Sequence, residues 1–521
     1  MSKQTFLKGA FILIVASFIT KILGFINRIV VARIMGAEGV GLYMMAIPTL
    51  LLVMTLTQLG LPVAISKLVA EAAAKNDGVR VKRVLVVSLS VTLTLTVVFT
   101  TLMIVFAPLV AAHLLTDERA FFPLIAITPI VPIVAVSAII RGYFQGKQNM
   151  TPTAISQVIE QIVRITLVAV TTTAFLPLGV EYAAAGAMIS VVAGEFISLI
   201  YMIWAFKQKK AFRLRQQFMT YAKGGKQTLS DLMRIAIPTT GSRLIGSIAL
   251  FFEPIVVAQS LAIAGMATVM ATKQYGELAG FAIPLLMLPT FITQSLSVSL
   301  VPAISEAAAH KHFKTIHYRL TQALRLALLS GGISCVVLYI FAEQVVTLMY
   351  NAPNVAMYIK LLAPFSIFLY LQGPLQAVLQ ALDLAKAAMM NSLFGAIIKI
   401  AAIFALASQP ELGIMGATLA VIIGFVLVTL LHFATVVKTI GFTLEIRLIA
   451  KMLVLLAATT LFSYASNQFI DISNSLLLDT SIAIILTAIF YIALTFLLKL
   501  VNKHEVNRLP LFGKILGRFV R

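Results

Sequence analysis

The sequence predicts an all-α membrane protein of about 14 transmembrane helices, arranged as two six-helix lobes plus two extra C-terminal helices. Two observations predict this class. First, 60% of the residues are hydrophobic and only 11% are charged, whereas soluble domains carry about 25% charged residues. Second, a series of short motifs occurs twice along the chain in the same order, which indicates an internal duplication.

Apolar stretches of bilayer length define the predicted helices. One membrane span needs about 20 apolar residues, and such stretches recur throughout the 521 residues, where the mean hydropathy is +1.01. The first stretch is too long for a signal peptide and has no cleavage site, so we expect it to remain as a helix. The predicted spans are 9–33, 42–66, 84–112, 120–143, 153–176, 183–206, 235–263, 277–304, 320–342, 356–381, 387–408, 413–437, 449–468 and 478–499.

The distribution of basic residues predicts how the chain is oriented. Most of the 40 Lys and Arg residues fall in alternate connections between spans, and the connection 207–234 is the most basic. The loops on the opposite side are short and acidic, with Asp117 among them. Because basic loops stay in the cytoplasm, we expect a bacterial cytoplasmic-membrane protein that has both termini in the cytoplasm.

The internal repeat predicts the lobes. The segment 186–194, GAMISVVAG, matches 416–424, GATLAVIIG, at a shift of 230 residues, and Arg164-Ile165 matches Lys399-Ile400 at a shift of 235. Each repeat holds six helices, so both lobes enter the membrane in the same orientation and enclose a central cleft that opens to alternate sides. The predicted domains are an N-lobe at 1–206, a basic linker at 207–234, a C-lobe at 235–440, and helices 13 and 14 with a basic tail at 441–521.

Several classes of function are disfavoured by the sequence. The net charge of +21 reports orientation in a membrane chain and does not indicate nucleic acid. Walker A, HExxH and Ser/His/Asp arrangements are absent, so we expect neither ATP hydrolysis nor an enzymatic reaction. The single cysteine, Cys335, excludes internal disulfides and thiolate metal sites. We therefore expect no catalytic residue, no metal and no cofactor.

Charged residues inside the predicted spans are the candidate site. Each costs about 2.5–3.5 kcal/mol at bilayer depth, so it faces a cavity or a partner. Glu160 and Arg164 lie four residues apart on one helix, and a structural ion pair and a ligand contact are equally open for them. Arg141 is either an interfacial anchor or part of the site. The predicted cavity lining is Lys21, Asn27, Arg28, Arg141, Gln145, Glu160, Arg164, Arg243, Glu253, Lys273 and Glu277. The cationic excess favours an anionic substrate such as a pyrophosphate group.

Several segments resemble one known family. They are 20–28 (TKILGFINR), 61–71 (LPVAISKLVAE), 141–150 (RGYFQGKQNM), 252–259 (FEPIVVAQ) and 272–278 (TKQYGEL). Together they resemble the polysaccharide-transporter branch of the multidrug/oligosaccharidyl-lipid/polysaccharide (MOP) exporters, including its sporulation members. The resemblance implies the MOP/MATE-like fold, with two six-helix lobes around a V-shaped cavity. In the lipid II flippases of that superfamily two further helices form a groove for the lipid tail, which helices 13 and 14 here would match.

The same resemblance implies a function. We expect a flippase that moves lipid II or a related undecaprenyl-pyrophosphate peptidoglycan precursor by alternating access, for synthesis of the spore cortex. Coupling to the membrane potential, Na⁺ or H⁺ is expected, with membrane lipids and cortex peptidoglycan synthases as partners and the membranes of the developing spore as the location. Two alternatives remain open. They are a cation-coupled multidrug exporter of the same fold, and a non-transporting glycan polymerase or scaffold of the cortex machinery.

Overall fold

The computed structural model describes residues 6–209, 225–469 and 475–501, and within these ranges it is helical and contains no strand. In the described ranges, 11 helices are long and apolar enough to cross a membrane, or up to 13 if each of two bent pairs is one span. One of these helical runs, Val15–Ala74, covers two of the predicted spans. Counting it as two raises the number of spans from 13 to the predicted 14. The all-α membrane class is confirmed.

The first helix is broken at a glycine. Helix α1, Phe6–Gln58, has 53 residues, which is more than twice the length that a bilayer requires. At Gly36 the backbone leaves the helical region, with φ 67° and ψ −174°. A positive φ of this kind strains any residue that carries a Cβ. Gly36 therefore separates the first two predicted spans.

The contacts divide the chain into two compact units. Unit 1 is Met1–Gly280 with Ser408–Ile414, and unit 2 is Phe281–Ala407 with Met415–Arg521. These units are groups of contacting residues and do not locate repeat boundaries, so the predicted lobes 1–206 and 235–440 stay a prediction. Much of the predicted linker and most of the basic tail lie outside the described residues.

Unit 1 is built around helices that approach closely at glycines. Gly142 and Gly146, one turn apart, contact Ile65 and Val69, and a Cβ added to Gly146 would lie 2.6 Å from the Ser66 carbonyl oxygen. The buried core of this region consists of apolar side chains from five helices. The further helices of unit 1 are α2 (Leu61–Ala74), α3 (Gly78–Leu109), α4 (Phe121–Ile127), α5 (Ile130–Gly146), α6 (Thr151–Phe175), α7 (Val180–Lys209), α8 (Lys226–Ile263) and α9 (Thr268–Tyr275).

The described part of unit 2 contains ten α-helices, some of them short. Two buried tyrosines connect its helices, since the Tyr370 hydroxyl donates to the Leu286 carbonyl and the Tyr491 hydroxyl to the Leu329 carbonyl, both at 2.8 Å. The helices are α10 (Ile283–Met287), α11 (Thr290–Ala309), α12 (Phe313–Ile340), α13 (Ala342–Tyr350), α14 (Ala356–Leu362), α15 (Ser366–Ala381), α16 (Ala385–Ala407), α17 (Ile414–Ile440), α18 (Ile446–Phe469) and α19 (Leu476–Leu497).

Two glycines allow α9 to lie directly against α1. A Cβ on Gly41 would be 2.0 Å from the Thr272 carbonyl oxygen, and a Cβ on Gly276 would be 2.0 Å from the Ala37 carbonyl oxygen. Both obstacles are backbone atoms, which cannot move aside as the end of a side chain can. The contact therefore depends on glycine at both positions.

We expect Gly41→Ala to destabilise the protein by about 1–3 kcal/mol, because overpacking of a tight contact costs that much. The measurement is the thermal unfolding midpoint of the purified protein in detergent. Gly246→Ala on α8 is the matched control, since nothing lies within 4 Å of its added Cβ. Equal midpoints for the two variants would contradict the close contact between α1 and α9.

Candidate functional site

The centre of unit 1 contains a network of two arginines and two glutamates, here called the Arg–Glu network. Arg141 Nη2 on α5 donates to Glu195 Oε1 on α7 at 2.7 Å, and Arg164 Nη2 donates to Glu160 Oε1 at 2.5 Å, both on α6. The Glu160 and Glu195 side chains also lie close to each other. The four side chains therefore connect three helices of one unit.

Glycine packing brings Glu195 into the network. Gly194, the preceding residue on α7, faces α6 so closely that an added Cβ would lie 2.8 Å from the Glu160 carbonyl oxygen and 3.4 Å from Arg164 Cβ. The short distance between α6 and α7 lets the Glu195 side chain reach groups on α5 and α6. Glu195 is only 5% exposed, whereas Arg141 and Arg164 are 22% and 20% exposed.

Several polar atoms around the network are buried without a hydrogen-bond partner. They include the Nε donors of Arg141 and Arg164 and the amide oxygens of Asn27 and Gln161. Gln161 lies against α1, with its Oε1 3.8 Å from the position of a Cβ on Gly24. Leaving a buried polar group unsatisfied costs about 1–3 kcal/mol, so these atoms are suited to binding water or a polar ligand.

The structure brings together three of the predicted site residues, because Arg141, Glu160 and Arg164 are hydrogen-bonded members of the network. Both arginines of the network are ion-paired, so the predicted cationic excess does not hold for these two. For the other eight residues the assignment to the site stays a prediction. Asn27 is buried on α1, which packs on α6. Lys21 and Arg243 are exposed, Arg28, Gln145, Glu253 and Lys273 are half-buried, and Glu277 is buried.

Glu195 is not among the site residues that the sequence predicts. A carboxylate inside the predicted span 183–206 is costly in lipid, and it directly follows the repeated segment 186–194. Both features can be read from the sequence and mark Glu195 as a candidate. Its pairing with Arg141 cannot be read from the sequence, because Arg141 lies 54 residues earlier in the chain.

A second polar cluster, the Asp117 cluster, joins three segments of unit 1. The Asp117 carboxylate, only 3% exposed, accepts from Arg119 Nε at 3.0 Å and from the Thr272 hydroxyl on α9 at 2.7 Å. Arg119 Nη1 also pairs with Glu38 Oε1 on α1. In the sequence Asp117 is one of several acidic loop residues, but in the structure it is buried and surrounded by hydrogen-bond donors. In the described ranges no group of three or more His, Cys, Asp or Glu side chains could hold a metal ion.

Comparison with known proteins gives consistent matches. The family described as "Polysaccharide biosynthesis protein" matches residues 6–308, and the MatE family matches residues 251–404. The chain is 56% identical to "Stage V sporulation protein B" of Bacillus subtilis (strain 168), over 99% of this chain and 100% of that protein. It is 23% identical to "Lipid II flippase MurJ" of the same organism, over 88% of this chain and 87% of that protein.

A solved structure has a similar fold. "Lipid II flippase MurJ, inward closed conformation" superposes with a TM-score of 0.70 at 15% sequence identity, covering 93% of this chain and 97% of that chain. At this identity the likeness establishes the fold alone. It agrees with the helical architecture that the sequence predicts.

We expect Glu195→Gln to lower stability by about 3 kcal/mol, because removing one partner of a buried ion pair leaves the other charge uncompensated. The double variant Arg141→Gln/Glu195→Gln should recover much of this loss. The measurement is a double-mutant cycle of thermal unfolding in detergent.

Asp231→Asn is the control for this cycle, because Asp231 forms an exposed ion pair with Arg80 at 3.6 Å. Exposed pairs contribute about 0–1 kcal/mol. A loss for Glu195→Gln no larger than that of Asp231→Asn would contradict the role of the network in holding α5 to α7.

Proposed function

We propose that this chain, which belongs to the polysaccharide biosynthesis protein family and is a membrane transporter of the MOP superfamily, moves an undecaprenyl-pyrophosphate-linked saccharide across the bilayer. The cargo is lipid II or a related peptidoglycan precursor for the spore cortex. The observation that carries the proposal is the pair of partly accessible arginines, Arg141 and Arg164, held by carboxylates inside membrane helices. The sporulation and lipid II names of two relatives support the choice of cargo.

The Arg–Glu network has the chemistry to receive a pyrophosphate. Guanidinium groups bind phosphate oxygens through charge-assisted, two-pronged hydrogen bonds. The Glu195 and Glu160 carboxylates each accept from one Nη2 of Arg141 and Arg164, and the buried Nε groups have no hydrogen-bond partner. An arriving pyrophosphate would replace one anionic partner with another, so the arginines would stay neutralised throughout.

The lipid tail does not need a polar route. Helices α18 and α19, which correspond to the predicted helices 13 and 14, expose large apolar side chains, among them Leu453, Leu461, Ile485 and Ile489. Such faces are compatible with acyl or prenyl chains. In this proposal the tail stays beside these helices while the head group crosses by alternating access.

The membrane potential is a sufficient source of energy in this proposal. Moving one elementary charge through 100 mV is worth about 2.3 kcal/mol, and a pyrophosphate leaving an inside-negative cell moves in the favourable direction. Na⁺ or H⁺ coupling is the alternative, and the Glu160 and Glu195 carboxyl groups are the candidates for carrying H⁺. Membranes of the developing spore, with both termini in the cytoplasm, are the proposed location, and cortex peptidoglycan synthases are the proposed partners.

A cation-coupled multidrug exporter is the second candidate, because the MatE family matches residues 251–404. It would be distinguished by efflux of cationic dyes from cells that express the protein. The Arg–Glu network has two arginines and two glutamates. A pocket with an excess of acidic residues would attract a cationic drug more strongly than this balanced network does. A scaffold is the third candidate, and it would tolerate loss of both network arginines.

We expect Arg164→Gln to slow head-group translocation at least tenfold, because one charge-assisted phosphate contact is worth about 1.5–3 kcal/mol. The measurement follows accessibility of the lipid II head group at the outer face of vesicles that contain the purified protein. Arg80→Gln is the control, since Arg80 pairs with Asp231 at the exposed start of α3.

Three outcomes would contradict this proposal. Vesicles with the wild-type protein could leave lipid II as inaccessible as protein-free vesicles do. The Arg164→Gln protein could match the wild-type rate. Dye efflux without lipid II movement would instead support the exporter.

A further inference from the structure

The two repeats build their last two helices in the same way. In unit 1, a Cβ on Gly186 of α7 would lie 2.9 Å from the Thr171 carbonyl oxygen of α6. In unit 2, a Cβ on Gly416 of α17 would lie 2.5 Å from the Leu406 carbonyl oxygen of α16. The glycines are related by the shift of 230 residues, and their contact partners by the shift of 235. Each repeat therefore places one glycine against the same point of the preceding helix.

A second glycine contact in each repeat involves a basic residue. Gly194 faces Arg164, with 3.4 Å between its added Cβ and Arg164 Cβ. Gly424 faces Lys399, whose Cδ and Cγ would lie 3.1 Å and 3.3 Å from the added Cβ. The same two shifts relate these residues. Lys399 therefore occupies in unit 2 the place that Arg164 occupies in unit 1.

The acidic residues of the first repeat are not reproduced. At the positions equivalent to Glu160 and Glu195, the second repeat has Gly395 and Phe425. Gly395 packs instead against Val428, whose Cγ2 would be 2.1 Å from an added Cβ. The repeat thus keeps the basic residue in the middle of a membrane helix, Ala385–Ala407, and replaces Glu160, which pairs with Arg164, and Glu195, which pairs with Arg141.

We infer that Lys399 is an anion-binding residue of unit 2, the counterpart of Arg164, and that it binds a phosphate or carboxylate oxygen of the transported head group. The inference rests on the proposed function for the identity of the ligand. The lysine stem crosses Gly424, where no Cβ restricts it. An ammonium on a flexible stem donates in three directions and does not require the fixed geometry of a guanidinium. Lys399 thus suits an anion that changes its position during transport.

Lys399→Met is the main test, because methionine keeps an unbranched stem over Gly424 and removes the charge. The probes are undecaprenyl pyrophosphate and lipid II, and the measurement is their affinity for the full-length protein in lipid nanodiscs. We expect the variant to bind at least one probe about tenfold more weakly, as for one lost charge-assisted hydrogen bond. Lys399→Arg should retain most of the affinity.

Two controls separate charge from folding. Lys451→Met removes a half-buried lysine from α18 of the same unit and should leave both affinities unchanged. Lys399→Met should keep the wild-type unfolding midpoint, and if it does not, Lys399→Gln is measured in its place against the Lys399→Arg protein.

The two probes distinguish the source of the anion. Weaker binding of both probes assigns Lys399 to the pyrophosphate, and weaker binding of lipid II alone assigns it to a carboxylate of the saccharide-linked peptide. Wild-type affinity of the uncharged variant for both probes overturns the inference, while translocation by the wild-type protein would leave the proposed function standing. Failure of the wild-type protein to bind either probe would overturn both.

Discussion

An ionised side chain in an apolar interior needs a counter-charge or water, and this requirement organises unit 1. Arg141 and Arg164 lie in helices that must pack among apolar neighbours, and each is neutralised by a glutamate. The carboxyl groups of those glutamates lie close to each other, so the two ion pairs bring charged groups of α5, α6 and α7 to one place. Packing and charge are inseparable here, because Glu195 reaches its partners only where Gly194 lets α7 approach α6.

Features that depend on local sequence could be predicted, and features that depend on tertiary packing could not. The spans follow from hydropathy, and the pairing of Glu160 with Arg164 follows from their spacing on one helix. Glu195 pairs with a residue 54 positions away, and Asp117 is buried by Thr272, 155 positions away. No periodicity encodes such contacts. The repeated segment 186–194 contains the glycines that allow α6 and α7 to approach closely. Their role becomes clear only from the structure, which shows the backbone atoms of α6 that lie against them.

The duplicated hairpins, α6–α7 and α16–α17, separate what the fold requires from what the site requires. Both keep the two glycine contacts between their helices, at Gly186 and Gly194 and at Gly416 and Gly424. The side chains beside those glycines differ, with a guanidinium and two carboxylates in one hairpin and an ammonium in the other. Equivalent backbone geometry therefore supports two different electrostatic environments within one chain.

The Asp117 cluster links the second segment of α1, the turn at Glu118–Ala120 and the start of α9 through a single buried carboxylate. Arg119 bonds Glu38 and Asp117 together, so withdrawing α1 would take one counter-charge from Arg119. Withdrawing α9 would take the Thr272 hydroxyl from the buried Asp117 carboxylate. Any movement that parts α9 from α1 would therefore leave a buried acceptor one donor short, which gives that movement an energetic cost.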